Sequence, residues 1–224
     1  MTPEKFQAET GVSRETLQLF EIYQAITIKW QSKINLISPT TVDDIFFRHF
    51  FDSAQIFDFL SHDEKIIDLG SGAGFPGLVL ALISKDRGRT TTFHLVEADS
   101  RKAAFLIEVA IATGLLNRTV QIHAVRAEKL AAGPLAGQAG TVTARALAAL
   151  PDLLAYAAPL LAPGGRCLFL KGERADDEIA ASRAAGWSFN LARHPSRTEP
   201  GASILEIHKI QHDPRLAAPR PRKL

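Results

Sequence analysis

The chain has 224 residues, 46% of them apolar and 22% charged, with a net charge of +2, which is ordinary for a globular protein with a sizeable core. A single cysteine, Cys167, excludes an intrachain disulfide framework and points to a reducing compartment, and its place in the apolar run RCLFL reads as buried filler. The longest apolar stretch, 146–162, is broken by Pro151, Asp152 and Pro159 and is no membrane span, and MTPEKFQAET carries no apolar signal region, so a cytoplasmic protein is expected.

In chain order, residues 1–60 read as a helical extension. They hold eight of the thirteen phenylalanines and, Gly11 aside, no glycine. Ser13 precedes a helix start, and Leu17, Phe20, Ile22, Ala25, Ile28 and Trp30 recur at near-helical spacing. Pro39 breaks that helix, and Asp43 or Asp44 starts another through Leu60. From Lys65 the period switches. KIIDL, TTFHLVEA, TVQIHAV, GTVTARA and GRCLFLKG read as strands, separated by helices near 76–84, 100–113, 149–161 and 175–185. This alternation implies an α/β fold with a parallel sheet and right-handed crossovers. WSFNLARH and SILEIHKI then follow without a helix between them, so the sheet is expected to end in an antiparallel pair. Residues 61–212 thus form one α/β domain. Residues 213–224, with Arg215, Arg220, Arg222 and Lys223 among prolines, are expected to be a flexible basic tail.

The stretch Ile66–Gly77, IIDLGSGAGFPG, carries the most chemical information. A β-branched strand ends in an acid, and a loop with four glycines leads into the apolar run LVLALIS. Glycines allow a tight turn and close approach of a ligand, Pro76 suits a first helical position, and free N–H groups at the helix start are expected to face the ligand. Gly72, Gly74 and Gly77 fit G-x-G-x-x-G, the dinucleotide fingerprint. The full string is D-x-G-x-G-x-G, however, and Asp68 at the strand end repels pyrophosphate and suits a cation. S-adenosylmethionine, with its sulfonium and ammonium, fits better than NAD.

Later strand ends add candidates around the same crevice. Glu97, ending the second strand, can accept both ribose hydroxyls of a nucleoside. Ala127 and Glu128, after the third strand, would lie at the adenine edge. Arg145 closes the fourth strand and could hold the cofactor carboxylate or a substrate phosphate, and Lys171 closes the fifth; a plain salt bridge is the alternative for each. Arg48 could face phosphate, while His49 could equally be a satisfied core residue. No nucleophile–base pair stands out, and no His/Cys spacing suggests a metal. A NAD-binding oxidoreductase and a non-catalytic RNA-binding module remain open on these residues.

NLIS at Asn35–Ser38, RHFFDS at Arg48–Ser53, DLGSGAGFPG at Asp68–Gly77, RAE at Arg126–Glu128, ARA at Ala144–Ala146 and LKG at Leu170–Gly172 together resemble the bacterial small-subunit rRNA guanine-N7 methyltransferases, the glucose-inhibited division protein B family. The resemblance implies a class I S-adenosylmethionine-dependent methyltransferase fold, Rossmann-like, and methylation of a guanine (position 527, in the 530 loop) of 16S rRNA, as naked RNA or within the small ribosomal subunit. It places the cofactor at Gly70, Phe75, Ala127, Glu128 and Arg145, alongside Asp68, Gly72 and Glu97 from the register above. Arg145 and Lys171 become positioning groups for catalysis, and Arg48, His49 and Lys171 contacts for RNA. Guanine N7 has a lone pair and no proton, so the missing base fits. Ala144, where members often have Ser, departs from the pattern, and the basic tail lies outside it.

Overall fold

The computed structural model describes residues 1–62 and 64–216, so Arg220, Arg222 and Lys223 lie outside the described residues. Helix α1 (Pro3–Thr10) ends at Gly11, whose φ of +66° is the left-handed conformation that closes a helix. Helix α2 (Arg14–Gln31) starts at Ser13, whose hydroxyl accepts from the Thr16 amide at 3.1 Å. Phe6, Phe20, Tyr23, Phe46 and Phe50 interlock at ring separations of 4.8 to 6.3 Å, which explains the phenylalanine enrichment.

The single helix expected from Asp43 or Asp44 to Leu60 is instead broken into a π-helical turn (Phe46–Phe51), a short turn α3 (Asp52–Ala54) and a 3₁₀ turn (Phe57–Phe59). The reason lies in FFRHFF, where Phe46, His49, Phe50 and Phe51 are all buried. In a regular α-helix, residues five apart point roughly 140° from one another, so Phe51 would swing away from Phe46. An i→i+5 turn brings both toward the core.

The remainder alternates as expected: β1 (Lys65–Leu69), α4 (Gly77–Asp86), β2 (Thr92–Val96), α5 (Ser100–Ala112), β3 (Val120–His123), β4 (Ala139–Arg145), α6 (Leu150–Ala157), β5 (Leu161–Lys171), α7 (Ala175–Ala184), β6 (Trp187–Pro195) and β7 (Ser203–His212). Pro76 stands just before α4 as its cap residue, one position earlier than expected. The seven strands pair in the order β3-β2-β1-β4-β5-β7-β6. The first five are parallel, and β7 joins β5 and β6 antiparallel.

Strand order reverses between β1 and β4, so the crevice beyond their carboxyl ends is where an open α/β sheet receives a ligand. Two apolar cores flank the sheet. Ile66, Phe93, Leu95 and Leu168 pack toward α1, α2, α4 and α5. Ile67, Leu69, Val142, Cys167 and Phe169 pack toward α6. Alternation along each strand therefore puts Ile66 and Asp68 on the first face, with the N-terminal helices, and Ile67 and Leu69 on the second.

Candidate active site

Two cavities open at the switch point. The smaller, about 320 Å³, lies over the glycine loop. The larger, about 680 Å³, lies between the RHFFDS segment, the ends of β4 and β5, and the β6–β7 loop. Leu36, Arg145, Ala146 and Leu147 line both and form the wall between them.

The glycine loop is shaped by contacts that glycine alone permits. A Cβ at Gly70 would come within 2.5 Å of Leu147 Cδ1, and one at Gly77 within 2.7 Å of the Asp68 carboxylate. At Gly74, with φ of +88°, a Cβ would collide with Leu78 at 2.6 Å and with the Tyr23 hydroxyl. That hydroxyl donates to the Ala73 carbonyl and ties the loop to α2. Gly72 differs: a Cβ there would meet only the Gly70 carbonyl, at 3.7 Å, because the position borders the smaller cavity.

The expectation of free loop amides does not hold. Gly72 N–H donates to Glu97 Oε2 at 2.9 Å, Gly77 N–H to Asp68 Oδ2 at 3.2 Å, and the Gly74 and Phe75 amides to the Ser71 carbonyl. Two carboxylates have thus taken the donors that a dinucleotide pyrophosphate would need. The donor set suits a nucleoside carrying positive charge.

Asp68 is also displaced from its expected role. It is fully buried and lines neither cavity. The β1–β4 register sets it beside Thr143, whose hydroxyl donates to Oδ1 at 2.8 Å. Burial raises its pKa from 3.8 to about 6, against the hydrogen bonds from Thr143, Ser71 and Gly77 and the charge of Arg145. Asp68 fixes the loop to α4 and does not present itself to a guest. Glu97 does line the smaller cavity, and beyond Gly72 it accepts from the Asp99 amide at 2.8 Å. A carboxylate offers about four acceptor sites, so it retains capacity for hydroxyls.

Ala127 and Glu128 sit on a 3₁₀ turn (Ala127–Ala132) after β3 and line neither cavity. Ala127 packs against the second apolar core. Lys102, which the sequence reading passed over, lines the smaller cavity. Phe75 lines it too, and its ring stacks with Tyr23 at 5.7 Å and with His49 at 5.0 Å.

Arg145 is the centre of the arrangement. Its guanidinium lies 4.8 Å over the Phe75 ring. It donates to the Arg48 carbonyl at 3.3 Å, to Asp52 Oδ2 at 3.2 Å and to His49 Nδ1 at 2.9 Å. Accepting at Nδ1 makes His49 an Nε2–H tautomer, which donates to the Thr41 hydroxyl at 2.8 Å. Burial, with Arg145 and Arg48 close by, depresses the His49 pKa from 6.5 to about 3. His49 is a neutral, satisfied group that lines the larger cavity and supports Arg145. Ala146, next along, has a φ of +53°, an uncommon strain for a residue with a Cβ that sits at the wall between cavities.

Lys171 lines the larger cavity and is buried. Its Nζ donates to Glu178 at 2.6 Å and to the Ala148 carbonyl at 2.7 Å. The salt bridge weighed as the alternative is therefore present, yet an ammonium has a third donor. Arg48 reaches the rim of the same cavity and pairs with Glu199 at 3.3 Å. Asp52, Thr198 and Glu178 were missed in the sequence. Only RHFFDS hinted at Asp52, and nothing local pointed to the others. Among the described residues no group of three His, Cys, Asp or Glu side chains is placed to hold a metal, and no helix is long and apolar enough to cross a membrane.

Residues 16–196 match the family model for rRNA small subunit methyltransferase G. A ribosomal RNA small subunit methyltransferase G from Paramagnetospirillum magneticum is 47% identical over 211 residues, covering 94% of this chain and 97% of its own. One from Rhodospirillum centenum is 48% identical over 206 residues, covering 92% and 89%. Among solved structures, a SAM-dependent methyltransferase from Aquifex aeolicus superposes with a TM-score of 0.55 at 14% identity, over 77% of this chain and 93% of its own. TYW2 from M. jannaschii, solved in complex with AdoMet, gives 0.53 at 14% identity over 81% and 80%. At such identities these two establish the shared fold alone.

Proposed function

The chain belongs to the rRNA small subunit methyltransferase G family, and from that premise we propose that its smaller cavity holds S-adenosylmethionine while its larger cavity receives a guanine of 16S rRNA, to be methylated at N7. The target is position 527 in the 530 loop, and the enzyme works in the cytoplasm on rRNA or the small subunit. The observation that carries this reading is Arg145, among the described residues the one cation placed in the wall that both cavities share.

When bound, S-adenosylmethionine supplies a methyl group already activated by its sulfonium sulfur. Gly72 leaves the cavity floor open, and Glu97 accepts from ribose hydroxyls with the lone pairs that Gly72 and Asp99 leave free. Asp68 holds the loop from behind through Gly77. The guanine is splayed out of the RNA loop, as sequence-specific RNA recognition generally requires. The remaining N–H groups of Arg145 and the third donor of Lys171 orient its O6 edge and leave the N7 lone pair unblocked. No proton has to move in the transfer. Arg48 at the rim meets a backbone phosphate. Catalysis would then rest on alignment of the N7 lone pair with the methyl group that the cofactor supplies.

Tritium-labelled S-adenosylmethionine, offered with deproteinised 16S rRNA and with intact small subunits, tests the reading. Label recovered as 7-methylguanine from either substrate is the expected result. Label on another base, or none with both, would overturn it.

A further inference from the structure

Asp52 stands out because it joins three separate parts of the chain at Arg145. Its Oδ2 accepts from Arg145 at 3.2 Å, while Oδ1 accepts from Gln55 at 3.0 Å and from the hydroxyl of Thr198 in the β6–β7 loop. The two charged side chains are largely withdrawn from water, 19% exposed for Arg145 and 17% for Asp52. A second acid whose charge acts on Arg145, Asp68, is occupied by Thr143 and Gly77. Arg48 and Arg197 look elsewhere, to Glu199 and Glu9.

The reaction proposed above puts positive charge beside this pair throughout. The N7 lone pair forms the new N–CH₃ bond, the electrons of the old S–CH₃ bond stay on sulfur, and the charge passes from sulfur to the guanine ring with no proton moved. A bare guanidinium in the shared wall would repel both the sulfonium and the ring as it becomes cationic. We propose that Asp52 is a positioning residue that clamps Arg145 and cancels its charge, so that Arg145 serves the site as a directional donor without opposing the cationic groups on either side. The proposal rests on the function proposed above and adds the electrostatic role of a residue distant from the glycine loop. Thr198 and Gln55, which also line the larger cavity, hold the carboxylate in turn, so the β6–β7 loop contributes to the geometry of Arg145.

The discriminating measurement compares two ligands that differ in one charge. Calorimetry gives the dissociation constants of S-adenosylmethionine, a sulfonium, and S-adenosylhomocysteine, a neutral thioether. In Asp52→Asn the ratio of the two is expected to move about tenfold against the sulfonium, because only that ligand feels the uncompensated guanidinium. Turnover is expected to fall with it. The double variant Asp52→Asn with Arg145→Gln removes both charges and is expected to return the ratio to its wild-type value. It also covers the case in which the single variant is too unstable to measure. Thr198→Val keeps both charges and is expected to leave the ratio in place while lowering kcat. An unchanged ratio in Asp52→Asn, or an equal shift in the double variant, would overturn the role given to Asp52. Failure of the wild type to bind either ligand would instead overturn the cofactor reading, so the two failures are separable.

Discussion

The two cavities are built in opposite ways. The smaller rests mainly on one continuous segment, Gly70 to Phe75, with Glu97, Ala98 and Lys102 from beyond β2 and the wall of Leu36 and Arg145 to Leu147 that it shares with the larger. The larger draws on residues 48–55, 145–149, 170–178 and 196–204, which meet only in the folded chain. The first is held by backbone shape and amides bonded to carboxylates. The second is held by side chains: Arg145 on Asp52, Asp52 on Thr198, Lys171 on Glu178. A cavity of the first kind tolerates side-chain change and fails when its backbone is crowded. One of the second kind keeps its fold and fails when one partner of a charged pair is removed.

The sharpest way to break the comparison is at Gly74. Gly74→Val places a branched side chain against Leu78 and Tyr23 at a φ of +88°. It is expected to cost roughly 4 kcal/mol or more of stability, read as a large fall in melting temperature. Wild-type melting would show that the loop is not held by backbone shape.

The two regions also tilt in opposite directions with pH. His49 is depressed from 6.5 to about 3, so the folded state binds fewer protons than the unfolded one between those values. Its contribution is present above pH 6.5 and lost as pH falls toward 3, by about 5 kcal/mol. Asp68 is raised from 3.8 to about 6, so the folded state binds more protons in that window. Its contribution is present below pH 3.8 and lost as pH rises through 6, by about 2–3 kcal/mol. Denaturation of His49→Gln and Asp68→Asn against wild type, from pH 4 to 7, should therefore give difference curves of opposite slope. Curves of the same sign would contradict the burial of one of the two groups.

For the shared wall, Arg145→Ala is expected to lower turnover by about 100-fold with a modest change in melting, and Arg145→Lys to restore only part, since a point charge replaces a planar fork. Full turnover in a well-folded Arg145→Ala protein would reduce Arg145 to a structural salt bridge. The smallest stability effect belongs to Gly72→Ala. Its Cβ meets only the Gly70 carbonyl, at an ordinary contact distance of 3.7 Å, at a φ of +56°, so about 1 kcal/mol is expected from backbone strain alone. The methyl intrudes on the cavity, so calorimetry should show weaker S-adenosylmethionine binding that is out of proportion to that cost.

Much of this was legible in the sequence wherever a short segment dictates its own geometry. The period switch at Lys65, the four glycines, the acid ending β2 and the antiparallel finish follow from residue spacing and backbone sterics, which act over a few positions. The break inside 43–60 was not legible, because the rings of FFRHFF choose their turn by the core they enter. Asp68 was read as facing the ligand because strand-end acids often do. Its actual direction depends on Thr143, one strand away and 75 residues on.

By itself, then, the sequence determined the alternating strands and helices, the antiparallel finish, the glycine loop and the family, since each is written in local pattern or in motif order. Only the tertiary structure decided which charges face a guest and which face each other. Arg145, Lys171, Arg48 and Asp68 are alike in sequence as charged residues near strand or helix ends. Whether each is free, clamped or buried depends on partners 7 to 151 positions away, and a charge taken out of water must find such a partner wherever the fold brings one.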